Sequence, residues 1–197
     1  MSIKINYSNK VSEKSLTNIV LFTEEKFNNK GLKKYLSNPE LSYINDLLKT
    51  CDLKKPLLAF EVSSIKKIIL ISIKKNLESS DVENLGAELF SHINYGNKGE
   101  FTINADSINA KPGKDFIGRF LHGLKLKSYE FNIYKSKKEK KLFLVNIIGQ
   151  KSKLTAKNEL KFKALEEGIF FARDLVSEPG NILHPDEYAK RLSSLKK

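Results

Sequence analysis

The sequence predicts an α/β domain on two observations. Short apolar runs of strand character alternate with stretches whose apolar spacing is helical, and turn-forming proline, glycine and asparagine punctuate them. At 197 residues the chain is long enough for one well-cored domain plus the start of another. The first seven residues alternate apolar and polar and read as a first strand. Residues 18–22 and 57–62 read as strands, and 68–73 as a strand buried on both faces. Between them, Asn38-Pro39-Glu40 offers an N-cap, a proline at the first helical position and an early acid, opening a helix through Leu41, Ile44, Leu47 and Leu48.

A second helix is expected to open at Ser80, with Glu83 completing an S-x-x-E capping box, and to run through Val82, Leu85, Leu89 and Phe90 to the region of Asn94 to Gly96. Phe101-Thr102-Ile103 reads as a strand and Lys111-Pro112-Gly113 as a turn. Phe116, Ile117, Phe120, Leu121 and Leu124 mark one face of a third helix. From Tyr129 the alternation Tyr-Glu-Phe-Asn-Ile-Tyr predicts a strand that returns through 142–148 as a hairpin. After Gly149 a polar linker leads to a long helix over 157–176, whose stripe of Leu160, Ala164, Leu165, Ile169, Ala172, Leu175 and Val176 is expected to face inward. Glu178-Pro179-Gly180 stops it, and His184-Pro185-Asp186-Glu187 starts one more.

Hydrophobic residues make up 40% and charged residues 29%, ordinary globular usage. Apolar runs such as Ile68-Ile69-Leu70-Ile71 fall far short of the roughly 20 residues a bilayer span needs, and the opening residues lack the pattern of a secretory signal. A cytoplasmic protein with no membrane partner is expected. The single cysteine, Cys51, fits a reducing compartment and is expected to serve helix packing. The net charge of +12 could attract nucleic acid, but lysine, asparagine and isoleucine are plentiful throughout and tryptophan is absent, as an AT-rich genome would impose. Five lysines crowd residues 135–141, at the tip of the expected hairpin. Of these, Lys137, Lys138, Lys140 and Lys141 are candidate DNA contacts, weighed against a solvated tip that lacks interleaved aromatics.

No catalytic or metal-ligating residue can be assigned. His92, His122 and His184 belong to no H-x-H, H-E-x-x-H or Cys/His cluster, and each reads as a surface or partly buried histidine. There is no G-x-S-x-G elbow, and Cys51 has no dedicated base. The acidic pairs Glu24-Glu25, Glu166-Glu167 and Asp186-Glu187 read as solvated helix faces. Neither G-x-G-x-x-G nor G-x-x-x-x-G-K-S/T occurs, so a phosphate-cradling nucleotide loop is not expected.

Residues 172–185, A-R-D-L-V-S-E-P-G-N-I-L-H-P, resemble the signature A-R-D-L-V-N-x-P-x-N-x-x-x-P that joins the two domains of cytosol (leucyl) aminopeptidases. Arg173, Asp174, Leu175, Pro179, Asn181 and Pro185 match at the right spacings, and Ser177 stands where the family generally has asparagine. Residues 120–135 are similar to a second family pattern, E-G-x-x-L-G-x-Y-x-F-x-x-Y-K, with Lys127 replacing the common glycine. Both matches come in the family's order.

The resemblance implies a macro-domain-like mixed sheet flanked by helices over residues 1–150, a linker helix over 151–180 and the start of a catalytic domain over 181–197. It implies a parent metallo-exopeptidase, a homo-hexamer that removes N-terminal residues from peptide substrates. There two divalent ions, manganese or zinc, would activate water and polarise the scissile carbonyl. The family's F-D-S-G-G and N-T-D-A-E-G-R motifs, which supply most of the metal ligands, have no counterpart in this sequence. The chain alone is therefore expected to be inactive, to hold no cofactor and to serve assembly or site access. Residues 71–75, I-S-I-K-K, replace the family's usual V-G-L-G-K, which argues against an inherited nucleotide site. A stand-alone basic DNA-binding module and a truncated inactive remnant are the competing readings.

Overall fold

The computed structural model describes residues 2–8, 18–94, 100–109, 113, 115–136 and 142–196. Six strands form one sheet in the order β1 (Ser2–Ser8), β6 (Leu142–Ile148), β5 (Glu100–Asn104), β2 (Asn18–Glu24), β4 (Lys67–Ile73) and β3 (Leu57–Glu61). Every pairing is parallel except β3 against β4. A parallel sheet needs cover on both faces, and the central strands carry the matching sequence: residues 19–23 of β2 and 68–71 of β4 are all buried.

One face packs against α2 (Ser79–Asn94) and α3 (Phe116–Lys127), where Phe22 meets the edges of Phe116 and Phe120 at 5.5 and 5.3 Å. The other face receives α1 (Asn38–Leu48), which buries Leu41 and Ile44 against Ile19, Leu21, Ile68 and Leu70. Cys51, half-buried in the turn after α1, packs on this second core. Helices α2 and α3 cross at two glycines: a Cβ at Gly123 would lie 1.9 Å from the Glu83 carbonyl oxygen, and one at Gly86 1.9 Å from that of Phe120. The long α4 (Ala156–Ser177) lies on α3, and α5 (Pro185–Ser193) follows it. No helix among the described residues is long and apolar enough to cross a membrane.

Several sequence expectations need correction. The first helix is capped by Ser37 rather than Asn38: the Ser37 N–H and hydroxyl both donate to Glu40 Oε2 at 2.9 Å, so the capping box starts one residue earlier. In α2 the Glu78 N–H donates to Asp81 Oδ2 at 3.0 Å, which places Ser80 and Glu83 inside the helix instead of at its cap. The expected hairpin is absent. Residues 129–136 form no strand, and β6 has parallel neighbours on both sides, so its hydrogen-bonding positions go to β1 and β5. The alternating aromatics of that segment face a helix instead, with Tyr129 against Phe170 at 5.4 Å.

The face of α4 is also turned: of the expected stripe only Ile169 and Leu175 are half-buried. Its buried residues are Phe162 and Glu166, with Ile169, Phe170 and Arg173 half-buried along the same side, whereas Leu160, Leu165 and Val176 are 68%, 44% and 87% exposed. Phe162 wins the interior because Gly118 leaves room for its ring, a Cβ there lying 2.3 Å from Phe162 Cε2.

Candidate functional site at the α4–α5 junction

The signature residues converge where α4 ends. Helix α3 leaves its last carbonyls without intrahelical partners, and the Arg173 guanidinium donates to one of them, Leu126 O, at 2.5 Å. The same guanidinium lies 5.5 Å from the centre of the Tyr129 ring, so one side chain caps α3 and covers an aromatic face. One residue further on, Asp174 Oδ1 accepts the Tyr129 hydroxyl at 2.7 Å. Burial first, then this carboxylate, hold the Tyr129 phenol above the usual tyrosine range.

Glu178 ends α4 and forms the second half of the junction. Its side chain is only 3% exposed, accepts from Arg191 Nη1 of α5 at 2.8 Å and also accepts the Tyr134 hydroxyl. Those two donors favour the ionised carboxylate and keep it below its ordinary range, Tyr134 contributing more than Arg191. Arg191 is held in turn by Glu187 Oε1 at 3.0 Å. Pro179 O accepts the N–H groups of Ile182 and Leu183 at 2.9 and 3.0 Å, closing the turn, and Pro185 occupies the first turn of α5. Leu175 is half-buried, while Asn181 is exposed and makes no side-chain hydrogen bond among the described residues. The two sequence patterns are thus two sides of one clamp: Leu126, Tyr129 and Tyr134 come from the first, and Arg173, Asp174 and Glu178 from the segment spanning the second.

A buried charged cluster that the sequence did not announce lies on the same helix pair. Glu166, read as solvated, is 9% exposed; it accepts from Lys125 Nζ at 2.8 Å and lies 3.7 Å from His122 Nδ1. His122 Nδ1 is buried without a hydrogen-bond partner, its ring 5.6 Å from Phe162. The i, i+4 spacing of Phe162 and Glu166 with Phe170 was the available signal, hidden because one member is an acid.

His92 lies on α2, His122 on α3 and His184 caps α5, and among the described residues no three His, Cys, Asp or Glu side chains are grouped to hold a metal ion. The residues here do not fit a two-metal centre. Lys137, Lys138, Lys140 and Lys141 lie outside the described residues, as do Lys111 and Pro112 of the expected turn.

No protein-family model matches the chain. A probable cytosol aminopeptidase of Nitrobacter winogradskyi is 28% identical over 152 residues, which cover 71% of this chain and 29% of the relative. The chain therefore spans under a third of the length of that relative. A tomato leucine aminopeptidase variant shares the fold over 98% of this chain and 42% of its own, with a TM-score of 0.69 at 19% identity. The bottromycin maturation enzyme BotP, in complex with Mn, shares it over 91% of this chain and 36% of its own, with a TM-score of 0.62 at 14% identity.

Proposed function

We propose that the chain, which is similar to the cytosol aminopeptidases over about 71% of its length, corresponds to their amino-terminal domain and acts as the noncatalytic, macro-domain-like part of a metal-dependent leucyl aminopeptidase. In this reading α4 is the linker toward a catalytic domain that removes N-terminal residues from peptides in the cytoplasm. The observation that carries the reading is the partial cover of α4. The side toward α3 is locked by Arg173, Asp174 and Glu166, while Leu160 near the start of the helix and Val176 near its end are left in solvent, 68% and 87% exposed. In this reading the further domain meets α4 at both ends, covering the apolar side chains that packing on α3 leaves exposed.

In this reading the catalytic domain, and not these residues, would hold two divalent ions, manganese or zinc, which would activate water and polarise the scissile carbonyl. BotP, which shares the fold and was solved in complex with Mn, supports metal dependence for such a parent enzyme. The present residues contribute assembly of a homo-hexamer and access to its sites. The test is reconstitution: the chain is mixed with a leucyl aminopeptidase catalytic domain stripped of its own amino-terminal domain, and sizing and hydrolysis of leucine amide are followed with added manganese or zinc. A stable complex, with no hydrolysis by the chain alone, is expected. Hydrolysis by the isolated chain, or failure to associate, would overturn the reading.

A further inference from the structure

Strands β2 and β4 are adjacent and parallel, yet the helices that follow them diverge: α1 packs on one face of the sheet and α2 on the other. Between the two departing loops the carboxyl end of the sheet is left open, the position at which open parallel sheets bind small ligands. A cleft of about 510 Å³ lies there, a volume in the range of small-molecule sites. Ser72 and Lys74 at the end of β4 and Glu25 and Lys26 after β2 form its inner rim, and Lys54 and Lys55 close the outer side.

The cleft is pre-formed. The Ser72 N–H donates to Pro56 O at 2.9 Å, tying the outer loop to the strand end, and within that loop the Lys54 N–H donates to Asp52 Oδ1 at 3.0 Å. Lys26 and Phe27 are both left-handed, with φ of 59° and 57°, a conformation that side chains with a Cβ seldom adopt. Phe27 is 2% exposed in the second core, and this anchoring holds the strained turn that sets Lys26 at the rim.

Its chemistry has two parts. Lys26, Lys54, Lys55 and Lys74 bring four ammonium groups, none of which is in an ion pair among the described residues. Three acids, Glu25, Asp81 and Glu88, line the same cleft, so the cations exceed them by one, and Asp81 is turned to the Glu78 N–H, from which it accepts at 3.0 Å. Leu53, Pro56, Leu77 and Leu85 supply an apolar wall, and Leu53 is 41% exposed. We propose that this cleft is a binding site for a small organic anion, its phosphate or carboxylate head on the lysine rim and its apolar body against the leucine wall. The site has no glycine-rich phosphate loop; side-chain ammonium groups take the role that backbone N–H groups play in nucleotide cradles. It stands apart from the α4–α5 junction and does not depend on the aminopeptidase reading.

Calorimetric titration of the whole chain with phenyl phosphate, phenylacetate and inorganic phosphate tests it, the first two separating a phosphate from a carboxylate head. One of the two aromatic anions binds with sub-millimolar affinity, and inorganic phosphate binds more weakly than phenyl phosphate. The double variant Lys54→Gln with Lys74→Gln loses at least about tenfold, the scale of one charge-assisted contact. A control of equal net charge, Lys161→Gln with Lys163→Gln on α4, binds as the parent does. Circular dichroism confirms that each variant is folded, and Leu77→Gln weakens binding without any change of charge. Equal losses in both lysine pairs would reduce the effect to overall charge and overturn the proposal. So would absence of binding by either aromatic anion, or bare phosphate binding as well as phenyl phosphate.

Discussion

The Tyr129 hydroxyl donates to Asp174 Oδ1 at 2.7 Å, joining the end of α3 to the last turns of α4 across 45 residues of sequence. Burial and this bond raise the Tyr129 pKa. A phenol whose pKa is higher in the fold than in the unfolded chain keeps its proton longer when folded. Its contribution is complete below about pH 10 and is lost as pH rises through the folded value. Tyr7, Tyr35 and Tyr134 shift in the same direction. Stability should therefore decline above about pH 10, and Tyr129→Phe should lose about 1 kcal/mol at neutral pH yet decline less steeply in alkali. Urea titrations on both sides of that pH measure each effect, and identical alkaline slopes for parent and variant would refute the linkage.

Arg173 tests whether the signature is architectural. Its planar guanidinium reaches Leu126 O and covers Tyr129 together, which a lysine ammonium cannot do. Arg173→Lys should cost about 2 kcal/mol, combining a charge-assisted bond with a cation–π contact. For a chain of this size that lowers Tm by roughly 5 °C, a shift that scanning calorimetry resolves. A variant as stable as the parent would leave the residue's place in the signature unexplained by the fold.

How far the sequence could be read depended on whether each signal was local. Strands β2 and β4 were legible because burial on both faces demands unbroken apolar runs, and α3 because its apolar spacing matched the face it buries. The face of α4 was not legible. Leu160, Leu165 and Val176 of its expected apolar stripe are exposed, and the side that packs includes Glu166 and Arg173, whose partners Lys125, His122 and Tyr129 are distant in sequence. Periodicity reports that a helix has an apolar side without saying which neighbour it meets. The alternation from Tyr129 misled for a related reason, because aromatics that contact a helix and hydrogen-bond through their hydroxyls mimic the period of a strand. At the junction Arg173 and Asp174 were legible from the signature, whereas Glu178 and Arg191 were not, since their pairing requires α5 to fold back on the end of α4.

Glu166 holds α4 against α3 through Lys125, with the Lys125 side chain 35% exposed and that of Glu166 12% exposed. Partial solvent screening sets the loss for Glu166→Ala at about 1–2 kcal/mol, below that of a fully buried pair. Glu166→Gln keeps the shape and one acceptor and should lose less. Hydrogen exchange localises the effect: protection should fall across α4 first, and uniform loss over the sheet would argue that α4 is not a separable layer.

Two glycines in helices predict opposite outcomes from the same substitution. A methyl group at Gly123 would lie 1.9 Å from the Glu83 carbonyl oxygen, backbone that cannot yield cheaply, so Gly123→Ala should force α2 and α3 apart at a cost of about 3 kcal/mol. At Gly168 nothing lies within 4 Å of the added methyl, and Gly168→Ala should stabilise by about 0.5–1 kcal/mol through helix propensity and the unfolded chain. Urea midpoints moving in opposite directions are expected; a shared direction would contradict the packing of this helix pair.

Two exposed apolar residues of α4 separate folding from association. Leu160 and Val176 are 68% and 87% exposed, so Leu160→Ser with Val176→Ser removes little buried area and should leave the chain's own stability within about 0.5 kcal/mol per site. If a catalytic domain covers both ends of α4, those two side chains become buried apolar contacts in the complex, where each contributes on the order of 1–2 kcal/mol. Losing both should then weaken association by roughly tenfold to a hundredfold. Sizing of the reconstituted mixture reads the second effect and urea unfolding of the chain alone reads the first. Weakened assembly with unchanged unfolding assigns the two residues to the interface, whereas unchanged assembly places the covering surface elsewhere and removes the observation on which the functional reading rests.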